Sequence, residues 1–262
     1  MRDVLDLDRY PIGRPATPGY DALVDRCRGE LAANGMFNLD GFVHPNAIAR
    51  AAAEVAALSE RVAYNHRRWH NVYFLDHVEG VADDHPALTR FETSSHTLCD
   101  DQLAGTLVHE IYEWQPMVRF LADVMQVPDL HLMKDPLARA NVMEYRPGEA
   151  LNWHFDRCRY TTTLLIQPAE QGGEFEYATN LRSGTNPNYD GVGRLLMGDS
   201  APIRVNPLEA GTLNVFAGIN TLHRVSTVRG ARSRFVAVFS YYERPDVEFS
   251  ASERLGFYGR AG

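Results

Sequence analysis

Cysteine is scarce: Cys27, Cys99 and Cys158 are the only three in 262 residues. They are too few and too scattered for a disulfide framework, and no CxxC pair marks a zinc or iron–sulfur site, so reduced thiols are expected. No apolar run approaches the length that spans a bilayer, which removes membrane insertion from the expected functions. The amino-terminal stretch MRDVLDLDRYPIGRP lacks the apolar segment and small-residue cleavage site of a secretory signal, so a cytoplasmic location is expected. Positive charge is also short, with 26 Lys and Arg against 34 Asp and Glu and a net charge of -8. Nucleic acid is bound by a basic surface that releases counterions from phosphates, and this chain has none to offer. Its densest basic cluster, NHRRWH at 65–70, reads as a solvated helix face or loop.

What remains is an ordinary globular composition, 45% hydrophobic and 23% charged, with no repeat or low-complexity tract. One core is expected for a chain of this length. Thr17 followed by Pro18 signals a helix start, and Leu23, Cys27 and Leu31 fall on one side of a helix that Gly35 stops. MFNLDGFV reads as a short strand with a turn at Asp40 and Gly41, and Pro45 begins an alanine-rich helix to about Val62. The segment from His96 to Val127 carries apolar residues at helical spacing from Leu103 to Val124, which predicts one long amphipathic helix kinked at Pro116. After Pro136 the texture changes to short apolar runs punctuated by Gly, Pro and Asn: ANVMEY, YTTTLLIQ, GEFEY, GTLNVF and RFVAVFSYY, all predicted strands. Between two of them LRSGTNPNYDGVGR reads as a long polar loop. Helices followed by many strands define an α+β class.

The chemistry concentrates in the strand-rich half. His154 and Asp156 lie two apart before a buried strand, a spacing that points both side chains to one side, and His223 follows between two predicted strands. Two imidazoles and one carboxylate on one face of iron(II) leave its other positions open, which is what non-heme oxygenases require. A His and a carboxylate two apart are common by chance. HVE at 77–79 is a second instance, and His66 with His70 has the spacing of a helical metal pair. Neither leads into a strand-rich region with a further His and Arg. Arg234, in the strand after His223, completes the set: an arginine fork suits the far carboxylate of a small diacid, and a buried strand arginine without such a task is costly. The competing reading makes Arg234 a salt-bridge partner for one of the many acids.

The set YRPGEALNWHFD, GGEFEY and HRVSTVRGARSRF resembles the iron(II)- and 2-oxoglutarate-dependent oxygenase superfamily, across about 141–242. More narrowly it is similar to the group of free-amino-acid hydroxylases and related radical halogenases. The resemblance implies a double-stranded β-helix (a cupin-like jelly roll) flanked by amino-terminal helices. It also implies one oxygenase domain over 1–262, with 1–136 a mainly helical elaboration and 137–262 the core carrying the metal site. It makes His154, Asp156 and His223 the iron ligands and Arg234 the 2-oxoglutarate anchor, with Tyr145 and Asn141 as further cosubstrate contacts and dioxygen as the oxidant.

In the halogenases of that group a small residue replaces the carboxylate and leaves a position for chloride. This chain keeps Asp156, so hydroxylation with release of succinate and CO2 is expected; desaturation or cyclisation would share the first steps. Arg157 stands where the lysine-specific members carry an acid, which argues against a basic amino acid; it is either a partner for a substrate carboxylate or a solvent-facing arginine. Trp153 and His77 are the other substrate-lining expectations, and NVYFLDHVEG near 71 and NLRSGTNPNYDG near 180 are candidate lids. Thr161 and Thr163 share a strand face and are either cavity lining or ordinary strand residues. The expected partner is a small free amino acid or derivative, with assembly state, a homodimer included, left open. The rivals are a cupin-like metalloenzyme that does without 2-oxoglutarate and a non-catalytic binding protein on the same barrel.

Overall fold

The structure, a computed structural model, describes residues 1–199 and 203–262. Helix α1 (Pro18–Asn34) begins where Thr17 accepts a hydrogen bond from the Tyr20 amide and ends at Gly35, whose left-handed backbone (φ 73°) closes the last turn. Strand β1 (Met36–Leu39) and helix α2 (Pro45–Val62) follow, then β2 (Tyr64–His70) and β3 (Phe91–Leu98). Three short helices come next, α3 (Asp100–Leu103), α4 (Leu107–Glu113) and α5 (Gln115–Met125), and then β4 (His131–Leu132), β5 (Ala140–Tyr145), β6 (Leu151–His154), β7 (Thr161–Gln167) and β8 (Phe175–Ala178). Helix α6 (Tyr189–Leu196) precedes β9 (Arg204–Asn206), β10 (Leu213–Phe216), β11 (Leu222–Val225), β12 (Arg234–Phe239) and β13 (Tyr241–Tyr242), and α7 (Ala251–Tyr258) is the last element. No helix among the described residues is long and apolar enough to cross a membrane.

Strands pair antiparallel in a seven-stranded sheet, β1-β10-β7-β12-β5-β3-β2, and a four-stranded one, β6-β11-β8-β9, with β13 and β4 as a separate pair. The alternation of strand side chains gives the large sheet two faces. Leu164, Ile166, Leu213, Val215, Phe235, Ala237 and Phe239 point outward and join the main core with residues of α1, α2, α4 and α5. On the other face Tyr145, Leu165 and Val236 meet Val225 of the small sheet, and Phe216 meets Phe175 at 5.0 Å between ring centroids. The two sheets thus face one another, and the sequence-predicted strands of the second half are all present.

Three expectations are corrected. NHRRWH is strand β2, paired along its length with β3, so His66 and His70 are strand residues rather than a helical pair. The long helix predicted from His96 is broken: its first residues finish β3, Gly105 takes φ 80°, Thr106 caps α4, and Pro116 sits in the first turn of α5, where its missing N–H costs nothing. Residues 1–136 are therefore less helical than expected, supplying three strands of the large sheet. The polar stretch read as a loop contains α6, disguised by two glycines: a Cβ on Gly191 would meet Asn188 at 2.4 Å, and one on Gly193 would meet His85 at 3.1 Å, where α6 packs on the turn Pro86–Leu88.

Candidate metal centre

Strand β6 ends at His154, and β11 carries His223 directly opposite it. The ring centroids are 4.1 Å apart. Each imidazole is fixed by a hydrogen bond from Nδ1 to a carbonyl two residues back, 2.8 Å to Asn152 and 3.0 Å to Thr221. A carbonyl only accepts, so Nδ1 carries a proton, and in the neutral ring Nε2 keeps its lone pair.

Asp156 lies two residues beyond the end of β6, its amide donating to the Gly218 carbonyl at 3.1 Å. Oδ1 is 3.3 Å from His154 Nε2 and Oδ2 is 3.6 Å from His223 Nε2. Oδ2 also accepts a 2.5 Å hydrogen bond from the Thr161 hydroxyl. The three ligand atoms lie within 4.8 Å of one another. Gly218 leaves room for this arrangement, since a Cβ there would stand 2.5 Å from both Asp156 Oδ2 and Thr161 Oγ1. Phe175 and Phe216 pack on His223, and Phe74 on His154, making an apolar collar.

Burial pushes the His223 imidazole down to about 4, and the adjacent His154 ring adds to the effect. Burial alone would raise the Asp156 carboxyl, but His223, His154 and the Thr161 hydroxyl outweigh it and hold the group well below the usual carboxylate range. Two imidazole nitrogens and a carboxylate oxygen converging in this way are a donor set that binds metals once its protons are released. The set fits a divalent ion.

Arg234 is the first residue of β12 and the cross-strand partner of Tyr145. It is 3% exposed, its guanidinium lies 5.9 Å from the Tyr145 ring, and its Nη1 is buried with no hydrogen-bond partner among the described residues. No acid pairs with it there, so the salt-bridge alternative is not realised; burial lowers its pKa to about 10. Gly173 passes close, its would-be Cβ 3.1 Å from Arg234 Cδ, at a backbone φ of 65°. Tyr145 is buried within electrostatic reach of Arg234 and Asp156.

Three expected site residues stand elsewhere. Asn141 has spent its side chain: Nδ2 donates to Leu137 O at 2.7 Å and Oδ1 accepts from the Tyr258 hydroxyl at 3.0 Å, which ties α7 to β5. Trp153 alternates away from His154 into a cluster with Val72, Val192 and Leu222, under the Arg224 guanidinium. His77 is exposed and pairs with Asp83 at 2.9 Å. Arg157 does line the cavity in front of Asp156, although it also pairs with Glu253 at 2.8 Å. That cavity, about 400 Å³, has walls from Tyr73, Phe74, Leu75 and Phe155 and is further lined by Arg182. The sequence reading missed the hold of Thr161 on Asp156, the packing role of Gly218, and Arg182; HxD followed by a threonine at the next strand was the one available signal.

A family model described as halogenase D matches residues 20–255. No curated protein matches the chain. Among solved structures, an oxidoreductase of the 2OG-Fe(II) oxygenase family from Burkholderia pseudomallei is 15% identical, over 84% of this chain and 91% of its own, with a TM-score of 0.51. The epimerase SnoN of nogalamycin biosynthesis, in complex with Fe3+, alpha ketoglutarate and nogalamycin RO, is 14% identical over 84% of each chain, with a TM-score of 0.55. A prolyl hydroxylase from Trichoplax adhaerens, in complex with a hypoxia-inducible-factor peptide, is 11% identical over 86% of this chain and 90% of its own, with a TM-score of 0.53. At such identities the likeness is one of fold, and it agrees with the expected α+β architecture built on a double-stranded β-helix.

Proposed function

Because the chain belongs to the halogenase D family, we propose that it is an iron(II)- and 2-oxoglutarate-dependent oxygenase, one domain throughout, that hydroxylates a C–H bond of a small amino-acid-like molecule. His154 Nε2, His223 Nε2 and the Asp156 carboxylate would hold the iron, and Arg234 the far carboxylate of 2-oxoglutarate, with Tyr145 beside it. When bound, iron and 2-oxoglutarate supply dioxygen activation coupled to oxidative decarboxylation, an oxidising power that no side chain has. The remaining work falls to the protein. The carbonyls of Asn152 and Thr221 hold the two imidazoles in the ligating tautomer. Thr161 holds one carboxylate oxygen in place. The aromatic collar keeps water from the two imidazoles, which strengthens charge interactions there. Arg234 has a buried Nη1 without a partner among the described residues, and a dianion gives it one.

The observation that carries hydroxylation over halogenation is Asp156. The halogenases that the sequence resembles leave that position to chloride, whereas here a carboxylate fills it and Gly218 and Thr161 are shaped around it. The test is turnover of a panel of free amino acids and acidic derivatives in chloride buffer, with products weighed by mass spectrometry. Gain of one oxygen with matching succinate, both lost in Asp156→Gly, is expected; a chlorinated product from the wild-type protein would overturn the assignment.

A further inference from the structure

The cavity in front of Asp156 and the hollow beside it carry two arginines with no carboxylate partner among the described residues. Arg182 donates from Nε to Ile219 O at 2.5 Å and from Nη2 to Asp156 O at 3.3 Å. Its guanidinium stacks 4.1 Å from the Phe155 ring and 6.0 Å from that of Tyr73. Both bonds go to carbonyls, no carboxylate among the described residues pairs with it, and Nη1 is left over. Arg68 lies 4.5 Å from the Phe74 ring and lines a smaller hollow that shares Phe74 and Leu75 with the cavity. It too has no acid partner among the described residues, and its Nε is buried without a hydrogen bond. Arg157 adds a third positive charge at the mouth, partly met by Glu253.

Among the described residues Asp156 is the only carboxylate lining the cavity, and its oxygens face the imidazoles and Thr161. In a chain with 34 acids and 26 bases, two half-buried arginines with no acid partner among the described residues, one at the cavity and one at the adjoining hollow, run against the average. Taking a cation partly out of water without pairing it is costly, and a bound anion removes the cost. The walls are held in readiness. Asn71 accepts from the amides of Tyr73 and Leu75 and donates to Leu75 O, which fixes the turn, and Phe74 sits in it with a left-handed φ of 57°. The Tyr73 hydroxyl donates to Pro187 O at 2.7 Å and so links this turn to the segment that carries Arg182.

We propose that this cavity takes a net-anionic small molecule, with carboxylate or phosphate groups on an apolar or aromatic body, and that Arg182 and Arg68 bind the acidic groups. The proposal rests on the oxygenase reading only for the place of the reacting carbon near the three ligands. A basic amino acid would find no free carboxylate for its ammonium.

The test is anaerobic calorimetry on the protein loaded with iron(II) and saturating 2-oxoglutarate, so that the Arg234 pocket is filled. The probes are phenyl phosphate, phenylsuccinate, L-lysine and phenethylamine, and the visible charge-transfer band of the loaded site is recorded on each sample. One of the two acids is expected to bind at least about tenfold more tightly than either cation, and the better acid distinguishes phosphate from carboxylate. Arg182→Gln and Arg68→Gln should each weaken it about tenfold with the band unchanged, and Arg182→Lys should recover part of the loss. Lysine or phenethylamine binding as tightly, neither acid binding, or acid binding indifferent to both glutamine variants overturns the proposal. If any of these occurs with the band intact, the oxygenase reading survives. If no band forms, that reading fails, and the same titrations on the metal-free protein judge the cavity.

Discussion

His154 and His223 are direct cross-strand partners in β6 and β11, so two of the three side chains of the candidate metal site are set by strand register rather than by a loop. Slipping one strand by a residue would send its imidazole to the opposite face. The third side chain is positioned by contacts that can be removed singly.

Thr161 is the first of these. Its hydroxyl donates to Asp156 Oδ2, and replacing a group that orients a metal-binding carboxylate typically weakens metal affinity about 10- to 100-fold. Thr161→Val should do so for iron(II), measured by anaerobic competition with a chelator, while Thr161→Ser should retain most of the affinity. Equal affinities in all three proteins would show that the hydroxyl does not position the carboxylate.

Gly218 acts by having no side chain. A Cβ would overlap both Asp156 and Thr161, and overpacking of this kind costs about 1–3 kcal/mol. Gly218→Ala should lower the melting temperature and weaken iron binding together. A variant as stable as the parent with unchanged metal affinity would mean that the site yields easily.

Arg234 should trade stability for binding. With no partner for its buried Nη1 among the described residues, it burdens the ligand-free protein, an unsatisfied buried group costing about 1–3 kcal/mol. Arg234→Met, similar in volume and apolar, is expected to raise the melting temperature of the ligand-free protein and to cut 2-oxoglutarate affinity roughly 10-fold or more. Thermal melts with and without 2-oxoglutarate read both effects. Destabilisation of the ligand-free variant would imply that the guanidinium is already satisfied.

The sequence shows the strands of the second half plainly, because β5, β7, β10 and β12 are buried on both faces and read as nearly continuous apolar runs. Helix ends were equally legible where chemistry marks them, at Thr17, Gly35 and Pro45. The failures have tertiary causes. Strand β2 turns His66, Arg68 and His70 to one side and Asn65, Arg67 and Trp69 to the other, so its composition looks like a solvated cluster although its partner β3 fixes it. The convergence of His154, Asp156 and His223 and the burial of Arg234 could be anticipated in the sequence because metal and anion chemistry limits which residue types would serve such a site. Trp153 was misplaced because strand alternation turns the neighbour of a ligand away from it. Nothing local in the sequence marks Arg182, which reaches the cavity only through the folding of 180–188 against Tyr73.

The carboxy-terminal helix carries a pH dependence of its own. Asp135, fully buried, accepts from Leu137 and Ala138 amides through Oδ1, and from the Phe249 amide and Arg254 Nε through Oδ2. Burial alone would raise its pKa, but the Arg254 bond and these amides outweigh it and leave the carboxyl below its ordinary value. A group with a depressed folded pKa contributes fully above the unfolded value, about 4, and the contribution is lost as pH falls through the folded value. Hydrogen exchange in α7 should therefore accelerate in acid ahead of exchange in β12. Asp135→Asn should show the faster exchange already at neutral pH, and parallel acid loss in both elements would contradict this.

The central claim is that His154, Asp156 and His223 hold one ferrous ion on which 2-oxoglutarate is seated. Anaerobic titration of the metal-free protein with iron(II) and 2-oxoglutarate, followed by visible absorption, reads it directly. A charge-transfer band that saturates at one iron per chain and is lost in folded His223→Ala is the predicted result. Folded wild-type protein that develops no band, or a His223→Ala variant that keeps it, contradicts the claim.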